Sequence, residues 1–240
     1  MKILVIGDVH NKTAYADSYL KRWEGSVVFL GDYFDNFDDS PDDAINTAVW
    51  LKHSLQQPNR IHLIGNHDFH YMLPVGSGTY CSGYTLDKHK AIANIFSQGD
   101  WSQLKYFHAI NNCWFSHAGV SYKWFSHPVT GVTRENVEAI ITRAKQDIQA
   151  RIYKSPYVGA LWAADHYRGG FYDKGGLLWC DWRNIDFFKD ITQVVGHTPR
   201  ESIKSHSRKG GTNINVDTHL KQAIILDTDN SSYEILNYEN

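Results

Sequence analysis

Five short apolar runs along the chain are each followed at once by a small residue and then by a side chain able to bind a metal ion. Residues 3–6 lead into Gly7-Asp8-Val9-His10, 27–30 into Gly31-Asp32-Tyr33-Phe34-Asp35, and 61–64 into Gly65-Asn66-His67-Asp68. Residues 113–115 lead into Ser116-His117-Ala118-Gly119, and 191–195 into Gly196-His197-Thr198. Short, nearly continuous apolar runs mark strands buried on both faces. In α/β sheets ligands collect outside the carboxyl ends of such strands, so the pattern predicts an α/β fold whose five strand ends open into one cleft. The glycines let the backbone turn sharply at those ends.

Between the second and third runs, Ser40-Pro41-Asp42-Asp43 combines an N-cap, a proline at the first helical position and acids in the first turn. A helix to about Leu55 is expected there, with Ala44, Ala48, Leu51 and Leu55 on one face. A second helix is expected from about Thr133 to Tyr153, where Val137, Ile140, Ile141, Ala144, Ile148 and Ile152 keep helical spacing. After Gly210-Gly211, residues 213–217, 222–227 and 233–237 read as a closing set of antiparallel strands. Residues 77–84 and 157–182 carry little periodicity and read as loops and short elements. No repeat, low-complexity run or long Pro/Gly/Ser linker divides the chain. With 42% hydrophobic content, residues 1–240 are expected to form a single domain around one sizeable core.

Carboxylates, an amide oxygen and imidazoles, without a thiolate among them, suit divalent cations. Asp8 and His10, one residue apart, point to the same side if strand geometry continues through Asp8. A carboxylate such as Asp32 can bridge two cations about 3.5 to 4 Å apart, the separation usual in two-metal hydrolases. Each motif alone is weak, since an Asp-x-His after a strand is ordinarily a hydrogen-bonded turn. Five in order, each at a strand end, are not explained by packing. The three cysteines are odd in number and lack CxxC spacing, which argues against a disulfide framework and a thiolate zinc site. A net charge of −2 gives no overall basic surplus of the kind that backbone-driven nucleic-acid binding needs. No apolar run has the length of a signal-peptide core or a membrane span, so a cytoplasmic chain with no membrane partner is expected.

Together these residues resemble the calcineurin-like metallophosphoesterases, and within them the phosphoprotein phosphatase branch that also includes bacterial diadenosine tetraphosphatases. Leu177-Leu178-Trp179-Cys180-Asp181 is similar to that branch's Leu-Leu-Trp-Ser-Asp segment. Ile214-Asn215-Val216-Asp217-Thr218 is similar to its late Ile-Asp-Thr-Gly strand. The resemblance implies a β-sandwich flanked by helices and two divalent metal ions, manganese or an iron/zinc pair. By position, Asp8, His10 and Asp32 would bind the first ion, and Asp32, Asn66, His117 and His197 the second. His67 would be the general acid beside the leaving group, oriented by Asp35. Three departures stand out. The branch usually has Asp-Arg-Gly where this chain has Asp35-Asn36-Phe37, so the arginine that clamps the phosphoryl group is missing. Asp68 stands where the eukaryotic-type protein phosphatases have glutamate, as the diadenosine tetraphosphatases tend to show. Pro199 stands where many calcineurin-like phosphodiesterases carry a second histidine, which favours the phosphatase branch. Arg183, then Arg168, are the candidates to replace the clamp, and with Asn66 they form the expected substrate-binding set.

The first functional reading is a phosphomonoesterase of the serine/threonine protein phosphatase type, acting on a phosphorylated protein or a small phosphoester. The second is hydrolysis of a phosphoanhydride or phosphodiester, such as a dinucleoside polyphosphate, a cyclic nucleotide or a nucleic-acid end. For that reading Tyr157, Trp162, Tyr167, Phe171, Tyr172 and Trp182 offer rings on which a base could stack. The third is a non-catalytic metal-binding scaffold.

Overall fold

The computed structural model describes residues 1–239, and the elements follow the sequence pattern closely at the five apolar runs. The first half contains β1 (Lys2–Ile6), α1 (Thr13–Leu20), β2 (Val27–Phe29), α2 (Pro41–Leu55), β3 (Arg60–His62), α3 (Asn66–Met72), α4 (Leu86–Ile95) and α5 (Gln98–Trp101). There follow β4 (Phe107–Ile110), β5 (Cys113–Ser116), α6 (Tyr122–Phe125), α7 (Arg134–Gln149) and α8 (Pro156–Trp162). The last quarter is β6 (Thr192–Val195), β7 (Lys204–Arg208), β8 (Gly211–Asn215), β9 (Gln222–Asp227) and β10 (Tyr233–Asn237).

The strands form two sheets, in the orders β10-β9-β1-β2-β3 and β4-β5-β6-β8-β7. Each has three parallel strands: β1, β2 and β3 in one, with β3 at the edge, and β5, β6 and β8 at the centre of the other. Antiparallel strands complete them, β9 and β10 beside β1 in the first sheet, β4 and β7 on the two edges of the second. Alternation along the strands divides the core in two. Ile3, Val5, Val28 and Leu30 meet Cys113, Phe115, Val194 and Ile214 between the sheets. Leu4, Ile6, Val27 and Phe29 face the other way, against Ala16 and Tyr19 of α1 and Ala44, Ala48 and Leu51 of α2. Burying a side chain of this size contributes about 1.5 to 3 kcal/mol, which makes the double-sided strands the main support of the site.

α2 starts as its sequence requires. The Ser40 hydroxyl accepts from the Asp43 amide and the Asp43 carboxylate accepts from the Ser40 amide, a complete capping box. α7 is capped by Thr133 but ends at Gln149, four residues short of the expected Tyr153. Arg151 turns into the left-handed region at φ 60°, which leaves Ile152 exposed instead of continuing the apolar stripe. The closing strands need a second correction. Residues 211–215 do not join β9 and β10 but lie in the other sheet, parallel to β6 and antiparallel to β7. β2 and α2 together enclose His62, whose ring stacks on Phe29 and bonds Tyr33 Oη at 2.9 Å and Ser54 Oγ at 3.0 Å. Burial and the nearby Arg60 push this imidazole down to about 3, so it is a neutral core residue.

Candidate active site

Asp8, Asp32, Asn66, His117 and His197 all lie just past the carboxyl ends of β1, β2, β3, β5 and β6, and both sheets contribute. The strand ends bring the side chains near one another, and unusual backbone angles complete the convergence. His10, Asp32, Asp35 and His197 have φ of 44°, 51°, 62° and 67°, a left-handed conformation that non-glycine residues seldom adopt. This corrects the expectation for Asp8 and His10: β1 stops at Ile6, so strand alternation does not aim them. Two glycines are required by close approach. A Cβ on Gly65 would lie 2.1 Å from Asp32 Oδ1, and one on Gly196 would lie 2.0 Å from Asp8 Oδ1.

Two groups of metal-ligand type result, Asp8 with His10 and Asp32, and Asp32 with His117 and His197, the donor atoms of each within 4.8 Å of one another. Asn66 Oδ1 joins the second group, 2.9 Å from His117 Nε2 and 2.9 Å from His197 Nδ1. His117 Nε2 lies 3.2 Å from His197 Nδ1 and 3.4 Å from Asp32 Oδ2. The other nitrogens fix what these atoms present. His117 Nδ1 donates to the Leu30 carbonyl at 2.9 Å, and His10 Nδ1 donates to the Asp35 carbonyl at 2.7 Å, so in each neutral ring the cleft-facing Nε2 carries a lone pair. In that neutral form the lone pairs of His117, Asn66 and Asp32 crowd together with no hydrogen between them. Such a set calls for a positive charge at its centre, and the residues fit a divalent cation there.

The electrostatics show the same demand for positive charge at this point, met by a proton where a cation does not meet it. Burial alone would lower His117, yet the Asp32 carboxylate outweighs it and raises the imidazole to about 9, and a bound cation would take that proton's place. Burial would likewise raise Asp32, but His117 and His67 hold it well below its usual range, while burial and Asp217 hold Asp8 well above. Burial and His117 keep His197 well below its ordinary value, which leaves it neutral and able to ligate.

Asn66 opens α3 and does not sit in a simple turn, so successive residues of the third motif point about 100° apart around a helix. The helical rotation, not strand alternation, carries His67 away from Asn66. Its amide donates to Asp32 Oδ1 at 2.8 Å, and its Nδ1 lies 3.2 Å from Asp35 Oδ2. Asp68 on the same turn accepts the amides of Asp32, Tyr33 and Gly65 at 2.7 to 2.8 Å, and so ties the loops after β2 and β3 together. Asp35 is a buried hub. Besides His67 it receives Tyr71 Oη at 2.6 Å and Lys88 Nζ at 2.7 Å, and His70 Nε2 lies 3.0 Å from it. Burial would raise this carboxyl, but the hydrogen bonds from His67, His70 and Lys88 hold it below its ordinary value. Burial opposes and Asp32 and Asp35 favour the charged form of His67, which ends well above its usual range. Of the hub residues that sequence reasoning missed, His70 left a trace, at the i+3 spacing from His67 that shares a helix face. Lys88 arrives from α4 with none.

The cleft over these groups has a volume of about 160 Å³ and is lined by Lys12, Phe37, Arg168, Pro199 and His219 together with His10, Asp32, Asp35, His67 and His197. Arg168 lies in it, with its guanidinium donating to the His197 carbonyl at 3.1 Å. Arg183, the first candidate for the clamp, does not line it. Its guanidinium is bound to Asp181 at 2.7 and 3.1 Å and covers the Tyr167 ring at 3.7 Å, facing a different cavity. Of the aromatic residues named for stacking, none lines the cleft, and Phe37, which does, is 90% exposed at its rim.

No curated protein sequence matches the chain. Its fold is similar to a cold-active protein-tyrosine phosphatase of the psychrophile Shewanella sp., at TM-score 0.65 and 17% identity over 98% of this chain and 80% of that one. It is also similar to a protein serine/threonine phosphatase from Saccharomyces cerevisiae with similarity to human phosphatase PP5, at TM-score 0.58 and 17% identity over 100% and 80%. No helix among the described residues is long and apolar enough to cross a membrane. The family model for calcineurin-like phosphoesterases matches residues 1–223. The chain belongs to the calcineurin-like phosphoesterases, metal-dependent hydrolases of phosphoesters that work with a dinuclear divalent centre.

Proposed function

We propose that the protein is a phosphomonoesterase of the serine/threonine phosphatase type, in the phosphoprotein phosphatase branch of its family. The observation that carries this reading is the size and charge of the cleft. Its volume, about 160 Å³, is below the roughly 300 Å³ at which pockets begin to enclose a whole small ligand. A phosphoryl group and its first substituent atoms fit, while the rest of the substrate stays outside. Lys12 and Arg168 line this small space, and a monoester brings two negative charges where a diester brings one.

In this reading Asp8, His10 and Asp32 hold one divalent cation and Asp32, Asn66, His117 and His197 the other, with manganese or an iron/zinc pair suited to the mixed oxygen and nitrogen donors. When bound, the cations neutralise charge on the phosphoryl oxygens and make a water acidic enough to attack at neutral pH. The chain's own groups do the rest. Asn66 helps fix the substrate as well as the second ion. Arg168, steadied by the His197 carbonyl, offers its remaining N–H donors to the phosphoryl oxygens. Asp35 accepts from His67 Nδ1, which leaves Nε2 to give a proton to the departing alcohol oxygen.

Two measurements test this. With manganese present, phosphoserine peptides and p-nitrophenyl phosphate should be turned over about a hundredfold faster than bis-p-nitrophenyl phosphate or diadenosine tetraphosphate, a gap of the size that charge matching provides. The reverse ranking would assign the site to diesters or anhydrides, and no turnover of any of them would leave a metal-binding scaffold. Arg168→Ala should raise KM for a monoester and weaken inhibition by free phosphate, each by about ten- to a hundredfold, as loss of one charge-assisted hydrogen bond or two requires. Metal content should not change. Undiminished phosphate inhibition would remove Arg168 from the substrate's path.

A further inference from the structure

A second polar surface begins where the cleft ends. Arg168 donates to the His197 carbonyl, its neighbour Tyr167 lies under the Arg183 guanidinium at 3.7 Å, and Trp182 beside Arg183 packs on the His206 ring at 5.4 Å. His206 belongs to β7, the outermost strand of the second sheet, whose five residues Lys204–Arg208 are all exposed. Lys204, His206 and Arg208 share one face by strand alternation. That face is turned toward residues 182–188, because His206 pairs with Asn213 and the Asn213 side chain donates to the Asp186 carbonyl at 3.3 Å. Between strand and segment lies an open cavity of about 460 Å³ lined by Arg183, Arg208, His206, Trp182 and Phe187 among others, with no carboxylate among its described lining residues. The Arg183 charge is matched by Asp181, so Lys204 and Arg208 with Arg168 at the near end give the strip its sign. This is a local basic surface on a chain of net charge −2.

We propose that this strip docks an extended acidic segment of a protein substrate, next to the phosphorylated residue that enters the cleft. The proposal rests on the phosphomonoesterase reading and adds the class of protein that the site selects. Two observations choose a peptide over a nucleic acid. Among the described residues β7 pairs with β8 on one side only, so the backbone N–H and C=O groups of its other edge are free to pair with an extended chain while the lysine and arginine meet its acids. Single-stranded nucleic acid needs a succession of open ring faces on which to stack, and of Tyr167, Trp182 and Phe187 only Phe187 offers one. Tyr167 carries Arg183 on its face and the His166 ring at 4.0 Å, and Trp182 is only 7% exposed.

The test compares a phosphoserine peptide flanked by glutamates with the same peptide flanked by alanines. KM should be about tenfold lower for the acidic peptide, the size expected of a few exposed charge contacts, and the advantage should shrink with added salt. The double variant Lys204→Glu with Arg208→Glu should abolish that advantage and leave turnover of p-nitrophenyl phosphate unchanged. A fluorescent glutamate-rich peptide without phosphate should show the same loss of binding by anisotropy. Equal KM for both peptides, in protein that hydrolyses p-nitrophenyl phosphate, would overturn the docking strip and leave the phosphomonoesterase reading intact. Failure to hydrolyse any monoester would overturn that reading instead, and the anisotropy comparison would still decide the strip. Oligothymidylate displacing the peptide at equal or lower concentration would give the surface to nucleic acid and end the proposal.

Discussion

Asp32→Ala is expected to lower kcat for any phosphomonoester by about four orders of magnitude, the loss of several kcal/mol of transition-state stabilisation that a broken two-metal centre implies. Asp32 is the one residue common to both groups of candidate ligands, and its two oxygens are already shared out. Oδ2 lies 3.4 Å from His117 Nε2 and 3.8 Å from His10 Nε2, while Oδ1 accepts the His67 amide at 2.8 Å. On the proposed assignment, alanine would remove the bridge together with the anchor of the α3 N-terminus. Metal analysis should find the content per chain falling below two, where Asp8→Ala should weaken mainly the first site. Retention of both ions with near-normal turnover would refute the bridging assignment.

The second large effect is selective. His67→Asn should slow hydrolysis of phosphoserine by about 10² to 10⁴, the range of general acid catalysis, and p-nitrophenyl phosphate by a much smaller factor. The difference arises because p-nitrophenolate leaves without a proton and a serine alkoxide does not. The geometry suits His67 to proton donation, because Asp35 holds Nδ1 and is itself held by Tyr71 and Lys88 in a buried network. Both metals should remain bound. Equal losses for the two substrates would take proton transfer away from His67, and a lost metal would make it a ligand.

The parts of this molecule that could be read in its sequence are those where two signals coincide. Asp8, Asp32, Asn66, His117 and His197 each follow an apolar run, so burial pattern and residue type pointed to the same five places. α2 was legible for a similar reason, since Ser40, Pro41 and Asp43 announce its start. Where one signal was missing the reading failed. β7 has no apolar residue in Lys-Ser-His-Ser-Arg and pairs at a sheet edge, so nothing in its periodicity marks a strand. Residues 211–215 do look like a strand, but local pattern carries no information about which sheet receives it. The sequence put Arg183 ahead of Arg168 because it follows the Leu-Leu-Trp segment, but the cleft takes Arg168, since Asp181 and Tyr167 hold Arg183 at a different cavity. Left-handed turns at His10, Asp32 and His197 likewise have no glycine to betray them, being held by the surrounding packing.

The spread of ligands over two sheets has a consequence for how the protein is made. With the assignment proposed above, the donors of the first ion lie within residues 8–32, and β1 and β2 that carry them pair directly. The second ion also needs His117 and His197, from strands of the other sheet. The first set is not independent of that sheet either, because the His197 amide donates to both Asp8 oxygens, at 3.1 and 3.0 Å. During synthesis neither position can take its final shape until residue 197 has left the ribosome and β6 has joined β5, so loading of both ions would follow the meeting of the two sheets.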